Sequence, residues 1–273
     1  KERGFSDSII DRFFRPFFGG VFLESNLASS SRKFEFLFQM FSQANAALPS
    51  AGMEELARQL AEKVGLENIR FNARVQSLSK NAAILEGGEY IQSRSIVVAV
   101  EGAAIHKLLP DFPAMKGEHA STCLYFSCDQ TPVNEPILVL NGDGAGPINN
   151  LCFPSKVSSE YAPEGKHLAS VSVLGSHTES NEILEHAVRS QLIDWFGGSV
   201  SRWKLLSTYK IKHALPAQLP PTDHYEKFNP EIRPGIFVCG DHVSTGSING
   251  ALESGRKTAE RISSSLFSMA AGR

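Results

Sequence analysis

Apolar and polar positions along the chain predict helices at both ends of the sequence and strands through its middle. In FSDSIIDRFFRPFFGGVFL, residues 5–23, the residues Ile9, Ile10, Phe13, Phe14, Phe17 and Phe18 return at helical spacing. Pro16 lacks an N–H and is expected to kink or divide that helix, and Gly19–Gly20 to end it. The segment suits a core-facing helix pair, the wall of an apolar cavity, or a surface that dips into a membrane. Arg12 and Arg15 fit each of these. In PSAGMEELARQLAEKVG, residues 49–65, Met53, Leu56, Ala57, Leu60, Ala61 and Val64 form one apolar stripe. Glu54 and Glu55 lie in its first turn, Lys63 in its last, and Gly65 stops it.

IRFNARVQSL, residues 69–78, alternates as a half-buried strand does, and AAILEGGEYI is a hairpin turning at Gly87–Gly88. SIVVAV, residues 95–100, is continuously apolar, which suits a parallel strand covered on both faces. Five strand-like runs follow at 121–128, 136–141, 148–153, 167–175 and 203–211, interrupted by one helix over 181–197. GIFVCG, residues 235–240, is a second buried strand, and a helix runs from about Asn249 to Phe267. Two α/β pieces separated by a β-rich stretch predict one discontinuous domain with another inserted in it.

Composition narrows the picture. The 273 residues carry a net charge of -2, with 42% hydrophobic and 21% charged positions, so nothing in the charge argues for nucleic acid. Phenylalanine is used 18 times against 5 Tyr and 2 Trp, which favours a dry core or apolar cavity. Cys123, Cys128, Cys152 and Cys239 match no zinc spacing and suit reduced, buried thiols in an intracellular protein. No apolar run approaches the ~20 residues that a membrane span needs. The chain starts at Lys1, and the expectation is a fragment or a processed form.

Most motifs carry little chemistry. NGDGAGP, residues 141–147, lies between two strands with no helix after it, so it reads as a hairpin loop rather than a phosphate cradle. The eight histidines include no HExxH, and no GxSxG elbow is present. His242 suits a structural role, with a ligand contact as the alternative. His177, His186, His213 and His224 carry no signal alone. Lys210 and Lys212 read as one solvated strand face.

VCGDHVSTGSINGALESGR, residues 238–256, is different because its parts support one another. Gly240 and Asp241 fall at the carboxyl end of an apolar strand, where open α/β sheets bind ligands. Gly246 and Gly250 permit close backbone approach, and Ser247 and Asn249 are N-cap residues. The helix start adds N–H groups and partial positive charge. A polyhydroxyl chain ending in a ring that gains negative charge suits this arrangement, and reduced flavin is such a ligand.

The run Gly240-Asp241, Gly246-Ser247-Ile248-Asn249-Gly250-Ala251 and Ser254-Gly255-Arg256 resembles the C-terminal flavin motif of the flavin-containing amine oxidase superfamily, which includes phytoene-desaturase-like enzymes. ALPSAGMEELARQLA resembles the Pro-x-Gly-Gly-Met helix start of that family, with Ala51 in place of one glycine. IRFNARVQSL and SIVVAVEGAA resemble the strands that follow it. The resemblance implies an α/β plus α+β chain: part of a Rossmann-like FAD-binding domain with an inserted mixed-sheet substrate domain. Residues 1–48 then form helices of the substrate domain and 111–230 its mixed sheet, and 49–110 and 231–273 belong to the FAD domain.

It further implies that Gly240 and Asp241 serve the phosphate–ribityl region. Gly246, Ser247, Ile248, Asn249 and Ala251 lie by the flavin, and Val75 holds adenine through its backbone. Cys239 belongs to the buried strand, so the FAD is expected to be non-covalent. The family's strand–GxGxxG–helix unit is not in these 273 residues, and the expectation is the C-terminal portion of a longer oxidoreductase acting on a small apolar substrate. A non-catalytic carrier of the same fold, similar to GDP-dissociation inhibitors, and an inactive fragment are the alternatives. Peripheral membrane contact is a further expectation from the Phe-rich segment. Plastid and bacterial settings, the electron acceptor and the oligomeric state stay open.

Overall fold

The computed structural model describes residues 4–115, 117–220 and 227–271, with backbone alone from 266 onward. His224 lies outside the described residues. One α-turn, Asp7–Ile9, runs into a π-helical turn, Ile10–Phe14, and on into α1, Arg15–Phe22. The chain stays helical through Pro16, but the helix type changes from π to α beside it, and a π-turn leaves one carbonyl out of the ladder, which suits the missing N–H of proline. Gly19–Gly20 does not end the helix either. It ends at Leu23, which adopts a left-handed φ of 54°. The glycines serve contact instead: a Cβ on Gly20 would lie 2.6 Å from Asn150 Nδ2, and Asn149 Nδ2 donates to Pro16 O at 2.9 Å.

Helix α2, Ser31–Gln43, falls within 1–48, a stretch expected to be helical, but no apolar period in the sequence marks its bounds. Its phenylalanines at 34, 36 and 38 alternate like a strand, which hides the helical period. Ring contacts with α1 and the π-turn before it favour a helix: Phe34 on Phe18 at 4.7 Å, Phe38 on Phe14 at 6.0 Å, and Phe41 on Phe17 at 5.1 Å. Helix α3, Glu54–Val64, forms as predicted, and its stripe of Met53, Leu56, Leu60 and Val64 is exposed.

The strand expected over 69–78 is only half realised. Asn72 takes φ 54°, a turn conformation, so β1 is Val75–Leu78. There follow β2 (Ala82–Leu85), β3 (Tyr90–Gln92), β4 (Ile96–Val98) and helix α4 (Gly102–Leu108). Next come β5 (Glu118–Cys128), β6 (Leu138–Leu140), β7 (Ile148–Cys152) and β8 (His167–Leu174), then helix α5 (Asn181–Phe196) and β9 (Lys204–Pro216). The chain closes with β10 (Glu231–Arg233), β11 (Ile236–Val238) and helix α6 (Ile248–Ala271).

Packing joins Lys1–Asn68 with His119–Ala214 in one unit, and Ile69–Glu118 with Leu215–Arg273 in a second. Helix α3 therefore groups with the first unit rather than with the segment that follows it. The first unit is built on a five-stranded sheet of order β6-β7-β8-β5-β9. Inward residues of β5, Leu124, Phe126 and Cys128, meet Val171 and Val173 of β8 and the α5 residues Leu184, Val188 and Leu192. Trp203 closes this core edge-on to Phe153 at 6.0 Å. The loop 141–147 joins antiparallel β6 and β7, as its sequence predicts, and Asn141 organises it by accepting from Gly144 N–H and donating to Ala145 O.

The second unit holds two three-stranded sheets, β1-β2-β3 and β10-β11-β4. β11 pairs in parallel with β4, Ile236 opposite Ile96 and Val238 opposite Val98. Their core contains Val98, Ile105, Leu109, Phe112, Ile236, Val238 and Val243. Coverage of β4 on both faces is corrected: Val97 is 42% exposed, since successive residues of a strand point to opposite faces and helix α4 covers only one. All four cysteines are free thiols, and no helix among the described residues is long and apolar enough to cross a membrane.

Phe126 is fully buried and Phe36 is 56% exposed. Phe126→Ala is expected to cost about 3–5 kcal/mol, and Phe36→Ser to change stability by less than about 0.5 kcal/mol. Urea unfolding of both variants checks this; similar midpoints for the two would contradict the assignment of the core.

Candidate functional site

The site is built where β11 ends. Three buried residues, Ile236, Phe237 and Val238, carry the chain to Cys239, whose N–H donates to Val98 O at 3.2 Å. Parallel pairing thus holds the strand end before the backbone turns at Gly240 (φ 152°) into a 3₁₀ turn, Asp241–Val243. Gly240 N–H donates to Ser254 Oγ at 3.1 Å, so the first turns of α6 reach back to hold the strand's exit.

Beyond the 3₁₀ turn the chain is irregular until α6. Ser247 caps that helix: its Oγ accepts from Gly250 N–H at 3.0 Å and its carbonyl from Ala251 N–H at 3.0 Å. Of the two N-cap candidates, Ser247 holds the position and Asn249 lies within the first turn. The N–H groups of Ile248 and Asn249 stand at the helix start, where the α-helical ladder supplies no acceptor. Both residues are exposed, Ile248 at 53%. Gly250 is required by space, since a Cβ there would lie 1.7 Å from Thr245 O. Ala251 is half-buried, and Ser254 and Thr258 are buried below it along the same face. Exposed pairs Glu253–Lys257 at 2.8 Å and Arg256–Glu260 at 2.5 Å cover the opposite face.

Asp241 keeps 32% of its side chain accessible beside this helix start. The donor set is therefore two backbone N–H groups with the positive end of a helix, and the acceptor is one carboxylate. In chemical terms, a carboxylate can accept hydrogen bonds from hydroxyls and a helix start can face partial negative charge.

Gly240, Asp241, Gly246, Ser247, Ile248, Asn249 and Ala251 are thus consecutive parts of one strand–loop–helix. Val75 is not in it. It lies half-buried at the start of β1, in the other sheet of the same unit, opposite Leu85. Leu78, three residues further along β1, packs against the core that contains Val238 and Val243.

Sequence reasoning misses two residues that shape the loop. Gln218 and Ser254 are buried polar side chains that bond to its backbone. Ser254 sits in the quoted motif, where it reads only as a small residue of the helix. Gln218 lies outside every motif and carries no sequence signal.

His242 lies buried in the 3₁₀ turn Asp241–Val243. Its side chain is 1% accessible, its ring is edge-on to Phe112 at 6.2 Å, and neither ring nitrogen has a hydrogen-bond partner among the described residues. Burial lowers its pKa below the ordinary 6.5, and the nearby carboxylates of Asp241 and Glu118 oppose that shift. Burial likewise raises the Cys239 thiol, which keeps it protonated and unreactive at neutral pH. Lys210 and Lys212 are exposed, as expected of a solvated face. No group of three or more metal-ligating side chains occurs among the described residues.

A neutral buried His242 gives a definite pH dependence. The unfolded chain binds its proton near the ordinary value and the folded chain only at lower pH. The contribution to stability is therefore full above about pH 6.5 and falls as pH drops toward the folded value. Urea midpoints taken between about pH 7.5 and about pH 5.5 should fall more steeply for the wild type than for His242→Phe. Equal slopes would contradict a neutral buried imidazole.

The family described as flavin containing amine oxidoreductase matches residues 1–263. No curated protein sequence matches the chain. The fold is similar to that of an oxidoreductase from Methanosarcina mazei, with a TM-score of 0.71, 16% identity, and coverage of 95% of this chain and 66% of that one. Reduced UDP-galactopyranose mutase gives 0.66 at 15% identity, over 88% of this chain and 61% of the other. Cyclohexylamine oxidase from Brevibacterium oxydans IH-35A gives 0.60 at 13% identity, over 79% and 53%. The chain spans 66% of the first of these structures and 53% of the last. At such identities the likeness is one of fold, and it agrees with the α/β plus α+β class expected from the sequence. With the family match running over nearly the whole sequence, the chain belongs to the flavin containing amine oxidoreductases.

Proposed function

We propose that the strand–loop–helix at 236–251 supplies the ring-proximal part of an FAD site in an oxidoreductase that acts on a small apolar substrate. The observation that carries this reading is the packing of the Asp241–Val243 turn, with Asp241 32% accessible, against α6, whose first N–H groups are those of Ile248 and Asn249. The residues present fit such a ligand. Asp241 would accept hydrogen bonds from ribityl hydroxyls, and the helix start would face the edge of the ring that becomes electron-rich on reduction. The bound cofactor supplies hydride acceptance from a C–N or C–C bond under oxidation.

The chain's own residues do the rest. Gly240 and Gly246 bring backbone close to the ligand, and Ser247 fixes the helix start by capping it. Ala251 keeps the first turn small. By the family resemblance, Val75 would hold adenine through its backbone. The protonated Cys239 supports non-covalent attachment. Within this reading, 49–110 and 231–273 are FAD-domain segments and 1–48 and 111–230 form the substrate domain, while packing groups 49–68 with the five-stranded unit and 111–118 and 215–230 with the other. An apolar substrate, rather than a small polar amine, is proposed from the Phe-rich segment 5–23, whose Phe13 is 40% exposed while Phe14, Phe18 and Phe22 pack as core.

In the full-length protein, Asp241→Ala is expected to weaken FAD binding by about 1–3 kcal/mol, through loss of charge-assisted hydrogen bonds. Flavin retained unchanged through desalting would contradict the ribityl assignment. Gly250→Ala should also release flavin, because the added methyl must displace Thr245 O from 1.7 Å and so shifts the loop. Equilibrium titration with FAD measures this, and wild-type affinity in Gly250→Ala would show that the loop geometry is not what binds.

A further inference from the structure

We infer that Gln218 is the positioning residue of the ligand-binding loop, an inference that rests on the flavin reading above. The side chain is 4% accessible. Its Nε2 donates to Ser244 O at 2.5 Å and its Oε1 accepts from Gly246 N–H at 2.8 Å. The orientation of the amide follows from these partners, since a backbone carbonyl only accepts and an N–H only donates. One carboxamide therefore ties together both sides of Thr245, in a stretch that belongs to no helix or strand.

The loop has no ladder of its own to hold it, so its backbone groups must be satisfied by side chains or solvent. Gln218 supplies this from a segment that is itself fixed: Ala217 N–H donates to Gly117 O at 3.0 Å. At the other end, Ser254 Oγ holds Gly240 N–H at 3.1 Å. Asp241 and the start of α6 lie between these two anchors or directly beside them. The donor and acceptor groups are thus set before a ligand arrives, and binding need not order the loop.

The chemistry at position 218 is specific. Only a group with one donor and one acceptor in a plane serves both contacts. Leucine fills similar space and serves neither. Glutamate keeps the acceptor for Gly246, but its ionised form turns a second oxygen toward Ser244 O. Burial raises the pKa of such a carboxyl, and once protonated it donates as the carboxamide does.

The test compares full-length wild type, Gln218→Leu and Gln218→Glu by FAD titration and by amide hydrogen exchange of 240–251 in the FAD-free protein. Gln218→Leu should exchange faster in that segment and bind FAD about tenfold more weakly at both pH values used. Gln218→Glu should show the same loss at about pH 8 and return toward the wild type at about pH 5.5, each measured against the wild type at that pH. A packing role alone gives no such rescue. Unchanged exchange in Gln218→Leu overturns the clamp. Faster exchange with unchanged affinity, or a pH-independent loss in Gln218→Glu, overturns the positioning role while leaving the flavin reading intact. Failure of the wild type to bind FAD overturns the flavin reading, and the positioning role with it. If Gln218→Leu does not fold, the pH response of Gln218→Glu decides the matter.

Discussion

Parallel pairing of three residues, Ile236–Val238 on Ile96–Val98, is the constraint on which the candidate site depends. These strands are short, and their hold comes from buried aliphatic side chains shared with Ile105 of α4 and with Leu109 just past its end. Parallel register fixes the point at which the backbone leaves the sheet. From that point Gly240 turns on φ 152°, His242 is driven into the core, and Asp241 is left facing outward. The alternation of one buried and one accessible side chain follows from the tight 3₁₀ turn rather than from either residue's preference.

The loop beyond it is held by polar atoms rather than by apolar burial. Ser254, Ser247 and Gln218 each satisfy a backbone N–H within the span from Gly240 to Gly250. Each such bond is worth about 0.5–1.5 kcal/mol net, but leaving a buried partner unmade costs more. A loop organised this way has few alternative shapes. That is what a ligand-facing segment needs, and Gly250 has no space for a Cβ within it.

Much of this was legible in the sequence, for physical reasons that differ by element. The strand–Gly-Asp–loop–helix order was readable because each part has a strong local preference: apolar run, permissive turn, cap and amphipathic helix. The 141–147 hairpin was readable because no helix follows it. Helix α2 was not, since alternate phenylalanines carry a strand-like period and only contact with α1 resolves it. The Gly19–Gly20 pair was misread because a stop signal and a close-packing surface use the same residue; Asn149 and Asn150, far along the chain, decide between them. Residues 69–74 alternate correctly, yet Asn72 enters the left-handed region and breaks the strand. Gln218 was invisible because its role depends on which backbone atoms the fold brings to it, and no local pattern encodes that.

Hydrogen exchange across the full-length protein, with and without FAD, tests the central claim most directly. The account predicts that FAD slows exchange at Gly240–Ala251, foremost at the Ile248 and Asn249 amides, with further slowing near Val75. Binding of FAD with no change in exchange across 240–251 would contradict the placement of the cofactor at this strand–loop–helix.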